Sequence, residues 1–474
     1  MITAETTHSL AFPASLDAAT VLALPKPSAD QWDSSKQLTH LIEQKINEEN
    51  GFLSFDQYMQ LALYAPHLGY YSGQSTKFGA AGDFITAPLI SPLFAACIAN
   101  QCRQWFTVLP RQITEFGAGD GTLAAQLLGQ LGAQIDQYTI IELSPQLRLR
   151  QQEILMVNCP EFFAKVQWLD QLPDAFNGVL LGNELLDAMP VQLFRLEPSG
   201  VMELGVTAQK GDQGLMWATR TAQADLQFAV NALLSVTQDT NVNSDPGSYA
   251  DNEAGSCADT DANTDANTDA NTDANTDANT DANTDADTAA ASYQADYPLG
   301  YVSEVCPQAC AWIASIAQRM QQSALLLIDY GFTSREYYLP QRALGTLMCH
   351  YRHHAHGDPL FLPGAQDITA HVNFSALALQ AQESGLQIAG YTSQANFLMN
   401  CGILQEAQAV MQVHLHDDTK ETVDQTLARA RASQGIQKLL SEAEMGELFK
   451  VLALTRGCEV QALGFSRGDR TYQL

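Results

Sequence analysis

Two carboxylates three residues apart, Glu184 and Asp187, sit in the run Gly182-Asn183-Glu184-Leu185-Leu186-Asp187-Ala188-Met189-Pro190. On a helical turn that spacing places both side chains on one side, and Asn183 is placed to cap the turn. A carboxylate pair suits a guanidinium. Arginine is protonated at all ordinary pH and presents a planar fork of donors that carboxylates accept. Such a pair could hold the guanidinium, localise its charge on one nitrogen and accept a departing proton. The same acids would also stabilise a helix N-terminus without any chemistry.

A second pattern suggests what would react there. Glu115-Phe116-Gly117-Ala118-Gly119-Asp120-Gly121-Thr122 has the form acidic-x-Gly-x-Gly-x-Gly, between an apolar segment at 112–116 and a helical segment from Leu123. Strand, glycine turn and helix form a nucleotide-type site at the edge of an α/β sheet. A dinucleotide turn reads Gly-x-Gly-x-x-Gly; here the third glycine comes one residue early and an acid opens the motif. That favours S-adenosylmethionine (SAM), which has no pyrophosphate and carries an ammonium group, over NAD. Glu142 ends a second apolar strand 25 positions after Gly117, where an acid accepts hydrogen bonds from ribose hydroxyls. Asp170, after a third strand, is placed to approach the adenine.

These residues require a strand–helix alternation. Strands are expected at 112–116, 138–142, 165–169 and 178–182, with helices between them. Val191–Leu196, Val201–Val206 and Gly214–Arg220 read as an antiparallel meander. Ala324–Gly331 reads as a strand whose end, Asp329 and Tyr330, faces the cleft. A helix is expected over 366–385, strands near 387–391 and 459–464, and mainly helix over 404–453. The expected organisation is a loose tail (1–35), a helical cap (36–110), the first part of the core with an antiparallel insertion (111–236), an acidic linker (237–296) and the remainder of the core with helical elements (297–474). The linker repeats Thr-Asp-Ala-Asn over 260–285 and has too few large apolar residues to bury a core, so disorder is expected.

The formal net charge is −29, which disfavours a nucleic-acid footprint. No apolar run approaches the roughly 18 residues needed to span a bilayer. No Lys precedes Lys26 and no Arg precedes Arg103, which argues against a secretory signal or an Arg-rich transit peptide. Residence in a bacterial cytoplasm is expected. Nine cysteines show no metal-ligand spacing, and the histidines of His350–His356 read as a polar active-site loop or a solvated segment. No metal is expected.

The chain resembles the MidA-like SAM-dependent methyltransferases, related to the mitochondrial arginine methyltransferase that helps assemble respiratory complex I. The similar stretches are Gly69-Tyr70-Tyr71, Gly82–Pro88, Glu115–Gly121, Asn183–Pro190, Asp329-Tyr330-Gly331, Gly345–His354, Asp367–Phe374 and Met445–Leu452. Leu185 and Leu186 stand where many relatives have aromatic residues, and Asn373 where Asp is expected. The resemblance implies an α/β, Rossmann-like class I methyltransferase core with added N-terminal helices, an antiparallel insertion and C-terminal helical elements. It implies SAM as cofactor and a protein substrate bearing an arginine, on a complex I subunit in the mitochondrial relative; a homodimer is compatible with it. The expected cofactor-binding set is Asp83, Glu115, Gly117, Ala118, Gly119, Gly121, Glu142, Asp170 and Asn183, with Glu184 and Asp187 catalytic. Three other readings stay open: methylation of a small molecule or another side chain, a non-catalytic assembly chaperone that keeps the fold, and, weakest, an NAD oxidoreductase.

Overall fold

The structure, a computed structural model, describes residues 24–73, 86–209, 214–239, 297–413, 433–459 and 461–474. The acidic repeat and most of the expected tail lie outside these residues. In chain order the strands are β1 (Leu53–Ser54), β2 (Gln112–Phe116), β3 (Gln137–Ile141), β4 (Val166–Leu169), β5 (Phe176–Asn183), β6 (Gln192–Glu197), β7 (Gly200–Ala208) and β8 (Leu215–Thr221). Then follow β9 (Val302–Val305), β10 (Met320–Phe332), β11 (Met348–Tyr351), β12 (His354–His356), β13 (Asp367–Thr369), β14 (Val372–Asn373), β15 (Gln387–Ser393) and β16 (Phe449–Arg456).

The central sheet has the order β15-β16-β10-β5-β2-β3-β4, with β14 paired to β10. The five strands β10, β5, β2, β3 and β4 are mutually parallel, and β16 runs antiparallel to both its neighbours. Side chains of β10 alternate between two cores, as a strand covered on both faces must. Ala324, Leu326 and Ile328 enter a core with the helices Pro92–Trp105 and Thr122–Leu131. Leu325 and Leu327 enter another with the helices Pro307–Arg319 and Phe374–Glu383. Each such leucine contributes about 1.5–3 kcal/mol by leaving water, so the sheet is the rigid frame.

The chain runs outward from β2 to β3 and β4, then returns to β5 on the other side of β2. That reversal opens a crevice at the carboxyl ends of β2 and β5, where open α/β sheets bind ligands. The glycine turn leaves the end of β2 and Asn183 ends β5, so both patterns singled out in the sequence meet there.

A second, antiparallel sheet of order β1-β7-β6-β9, with β8 on β7, takes β6 to β9 from the stretch between β5 and the helix before β10 and β1 from the N-terminal segment. The antiparallel pairing expected over 191–220 is present. Its core also takes Leu38, Ile42 and Ile46 of the helix Ala29–Glu48, and Phe55, Tyr58 and Met59 of the helix Phe55–Tyr64. The first of these helices starts inside the segment expected to be loose. Ser28 and Gln31 form a reciprocal capping box there, a start signal that fixes the helix at Ala29.

Three other expectations are corrected. Over 366–385 only Phe374–Glu383 is helical, because Asp367 and Ile368 pair with β11. The last core strand is Phe449–Arg456 rather than 459–464. Its apolar run is buried between β10 and β15 and so carries no period that separates strand from helix. The 350–356 histidines form a hairpin, β11 paired to β12, turning at Arg352 and His353 with φ of 47° and 67°.

Candidate active site

Three glycines of the turn after β2 have positive φ: Gly117 at 62°, Gly119 at 53° and Gly121 at 91°. Side chains are strained in that region, which explains the residue type. At Gly121 a Cβ would also meet Gln151 Cα at 3.0 Å. A Cβ on Gly117 would approach Leu185 Cδ1 to 3.1 Å, so the glycine turn and the turn after β5 face each other at close range. Ala118 is buried in the core and accepts a hydrogen bond from the Gly121 N–H at 2.8 Å. Asp120 accepts from the Thr122 N–H at 2.9 Å.

The two acids on this side are buried and held. Glu115 accepts from the Tyr138 hydroxyl at 2.6 Å, and burial raises its pKa to about 7 against the pull of that bond. Glu142 accepts from the Ser144 N–H at 2.8 Å and from Gln151 Nε2 at 3.0 Å. Burial raises its pKa, and those two donors oppose the rise. Gln151 also donates to the Gly119 carbonyl at 2.9 Å and accepts from Trp168 at 3.0 Å. One side chain therefore ties the glycine turn to Glu142 and to β4. Asp170 lies exposed just past β4. Asp83 falls outside the described residues.

Across the crevice, residues 184–189 form a tight turn rather than the expected helical one, with φ of 49° at Glu184. A positive φ at a glutamate is strained. Asn183 does not cap this turn, as the spacing suggests; its amide donates to Glu184 Oε1 at 3.2 Å. The cap is Asp329. Its Oδ2 accepts the N–H groups of Leu185, Leu186 and Asp187 at 3.1, 2.8 and 3.4 Å. The reason is register: β10 runs parallel to β5 with Ile328 opposite Asn183, so the next residue on β10 reaches the turn. The Glu184 N–H also donates to the Ile328 carbonyl at 2.9 Å.

Glu184, Asp187 and Asp329 thus form one acidic cluster. Glu184 is part-exposed yet densely surrounded, and desolvation, then the charge of Asp187, raises its pKa to about 8. Burial raises Asp187, and burial together with Asp187 raises Asp329. Both are more than nine-tenths buried. Among the described residues, no Lys or Arg figures among the influences on any of the three. Tyr330, next to Asp329, packs on Phe449 at 3.9 Å between ring centroids. His371 stacks on Phe332 at 5.0 Å, and burial, then Arg342, lowers its pKa to about 4, so it adds no positive charge at neutral pH.

The N-terminal layer closes one side. Tyr64 donates to the Ala188 carbonyl at 2.9 Å, and Tyr71 to Asp367 Oδ2 at 3.0 Å. The Ala370 N–H donates to the Asp187 carbonyl at 2.9 Å.

Residues 97–392 match the model of a family of S-adenosyl-L-methionine-dependent methyltransferases, over more than half of the chain. The chain belongs to this family. Its cofactor is SAM. A crystal structure of a Burkholderia thailandensis protein bound to S-adenosyl-homocysteine superposes with a TM-score of 0.77 at 38% identity, covering 95% of this chain and 100% of that one. A native crystal structure from the same organism gives 0.74 and 37%, with the same coverage. Among curated proteins, the protein arginine methyltransferase NDUFAF7, mitochondrial, of Danio rerio is 25% identical over 447 residues, 88% of this chain and 86% of its own. That of Bos taurus is 26% identical over 450 residues, 88% of this chain and 82% of its own.

For this methyltransferase, the expectation of a bacterial cytoplasmic location is withdrawn, because the curated relatives are mitochondrial proteins of animals. Among the described residues no helix is long and apolar enough to cross a membrane. Sequence reasoning missed Gln151 and Asp367, and placed Asp329 at the cleft without its role as the cap. The sequence signal for Asp329 was its place at the end of the apolar run from Ala324 to Ile328; its role as the cap follows only from the register of β10 on β5. Nothing in spacing pointed to Gln151, which acts from the middle of a helix.

Proposed function

We propose that this methyltransferase acts on an arginine guanidinium of a protein substrate. The observation that carries the reading is the cluster of Glu184, Asp187 and Asp329, three buried or part-buried acids with raised pKa and no cationic partner among the described residues. Buried anions are costly unless a cation joins them, and a guanidinium supplies a fork of donors that matches carboxylates. The curated relatives, protein arginine methyltransferases by name, support the same acceptor. A subunit of respiratory complex I is the candidate substrate that the family resemblance supplies.

In this reading Gly117, Ala118, Gly119 and Gly121 let the backbone approach the cofactor, and Glu115 lies on its methionine side. Glu142 accepts from the ribose hydroxyls, with Asp83, Asp170 and Asn183 completing the contacts. Positive φ at three glycines, and a carboxylate held by two donors at the ribose position, fit that group. When bound, SAM supplies an electrophilic methyl group on a sulfonium. Glu184 and Asp187 hold the guanidinium and orient one nitrogen, which matters most for a transfer governed by positioning. Glu184 accepts the proton that this nitrogen releases. Asp329 keeps the turn in shape through three N–H groups and does not touch the acceptor.

The test is incubation of the protein with isotope-labelled SAM and a cell extract, followed by mass spectrometry of labelled peptides. Label on arginine that requires Glu184 supports the reading. Label confined to small molecules or to other side chains contradicts it.

A further inference from the structure

The cofactor side and the carboxylate turn leave one wall of the crevice without an assigned role. It is built by the end of the helix Phe55–Tyr64, the tight loop after it, and β13. The loop is shaped by Gly69, where a Cβ would come within 2.7 Å of the Leu63 backbone and 2.6 Å of the Ala65 nitrogen. Its backbone turns back so that the N–H groups of Tyr70 and Tyr71 donate to the Ala62 and Leu63 carbonyls at 2.9 and 2.8 Å. Tyr71 is thereby brought over Tyr64, ring centroids 5.5 Å apart and planes 23° from parallel, with buried Tyr70 edge-on to Tyr71 at 5.1 Å.

Both hydroxyls point inward, Tyr64 to the carbonyl beside Asp187 and Tyr71 to the buried carboxylate of Asp367. Both residues remain part-exposed. The negative charges of Asp367 and Asp187 act on both hydroxyls, which places the pair at the edge of the acidic cluster. Asp367 is also tied to the carboxylate turn through its own strand, because the residue that follows that strand, Ala370, donates to the Asp187 carbonyl.

We propose that Tyr64, Tyr71 and Asp367 form the acceptor-recognition wall of the site, a surface that selects a planar cation. The proposal rests on the guanidinium reading above. Aromatic faces attract cations, and a guanidinium stacks flat on them as an ammonium cannot. Asp367 contributes through Tyr71: by accepting its hydroxyl, it fixes the ring and adds negative field at the mouth. Tyr71 is the selecting contact and Asp367 its positioning residue.

The test uses the full chain saturated with S-adenosyl-homocysteine and titrated with acetyl-arginine amide, whose one charge is the guanidinium, and with acetyl-lysine amide for comparison. NMR line positions of the small molecule or calorimetry reads the binding. The wild type should prefer the arginine probe. Tyr71→Leu should weaken that probe about tenfold and abolish the preference, while Tyr71→Phe, which keeps the ring, should lose about threefold or less. Asp367→Asn should weaken it by a similar threefold to tenfold, since the hydroxyl loses a charged acceptor. Affinity for S-adenosyl-homocysteine should stay within about twofold in all three variants, because the stack acts on the acceptor alone. Variants that keep that affinity and bind the arginine probe as the wild type does would overturn the wall and leave the guanidinium reading standing. Loss of S-adenosyl-homocysteine affinity in Tyr71→Phe or Asp367→Asn would also overturn it, by assigning the wall to the cofactor side. No arginine-probe binding by the saturated wild type would remove the guanidinium reading itself.

Discussion

The acids on the two sides of the crevice keep different neighbours. Glu115 and Glu142, beside the glycine turn, take hydrogen bonds from Tyr138, the Ser144 N–H and Gln151. Across from them, Glu184 accepts from the neighbouring Asn183 amide and from the Ala87 backbone, Asp187 accepts from the Ala188 backbone, and both stand beside a third acid, Asp329, that is spent on the turn. On the first side each acid has a donor and Glu142 also has a nearby cation, Arg148. The other holds like charges together and is relieved by a cation. On the proposed reading, the contrast separates a cofactor side from an acceptor side that a cation relieves.

Removing one of the clustered acids should have the largest consequence. Glu184→Gln keeps the shape and deletes the proposed proton acceptor, so methyl transfer should fall about 10²–10⁴-fold, read with labelled SAM at saturating cofactor. A variant that turns over normally would place the chemistry elsewhere.

The pH profile comes next. Only ionised Glu184 can accept the proton, and its pKa is raised to about 8 in the free protein. The specificity constant kcat/KM should therefore climb about tenfold per pH unit towards pH 8 and then level off. A profile flat from pH 6 to 8 would contradict the raised value.

Asp329→Ala should act on shape. It leaves three N–H groups of the 185–187 turn without their acceptor, while relieving some repulsion within the cluster. The net expectation is a loss of about 1–3 kcal/mol in denaturant unfolding, with a lower kcat. Unchanged stability would mean that the released repulsion offsets the lost bonds.

The satisfied side predicts a quieter effect. Glu115 has a usual value of 4.5 that burial raises to about 7. The folded chain keeps a proton that the unfolded chain releases over that interval. Its contribution is therefore full below about pH 4.5 and is lost as pH rises through 7. Glu115→Gln should remove about 2–3 kcal/mol of the fall in stability between pH 4.5 and 7.

Much of this frame was legible in the sequence, for a physical reason. The strands at 112–116, 138–142, 165–169 and 178–182 and the glycine turn are local patterns, and β2 to β5 lie within one residue of those bounds at most ends. What stayed hidden was non-local. The cap of the 184–189 turn comes from Asp329, on a strand that follows the antiparallel excursion and the whole acidic repeat. Tyr71 and Asp367 meet across 296 positions. Buried β16 was misread because an apolar run covered on both faces has neither period.

The division between the two sides is best tested by calorimetry of S-adenosyl-homocysteine on Glu142→Ala and Glu184→Gln, at matched folding by circular dichroism. Glu142→Ala should weaken binding about tenfold or more, as a charged acceptor is lost, while Glu184→Gln should bind within about twofold of the wild type. Equal losses in both, or a loss confined to Glu184→Gln, would contradict the assignment of one side to the cofactor and the other to the acceptor.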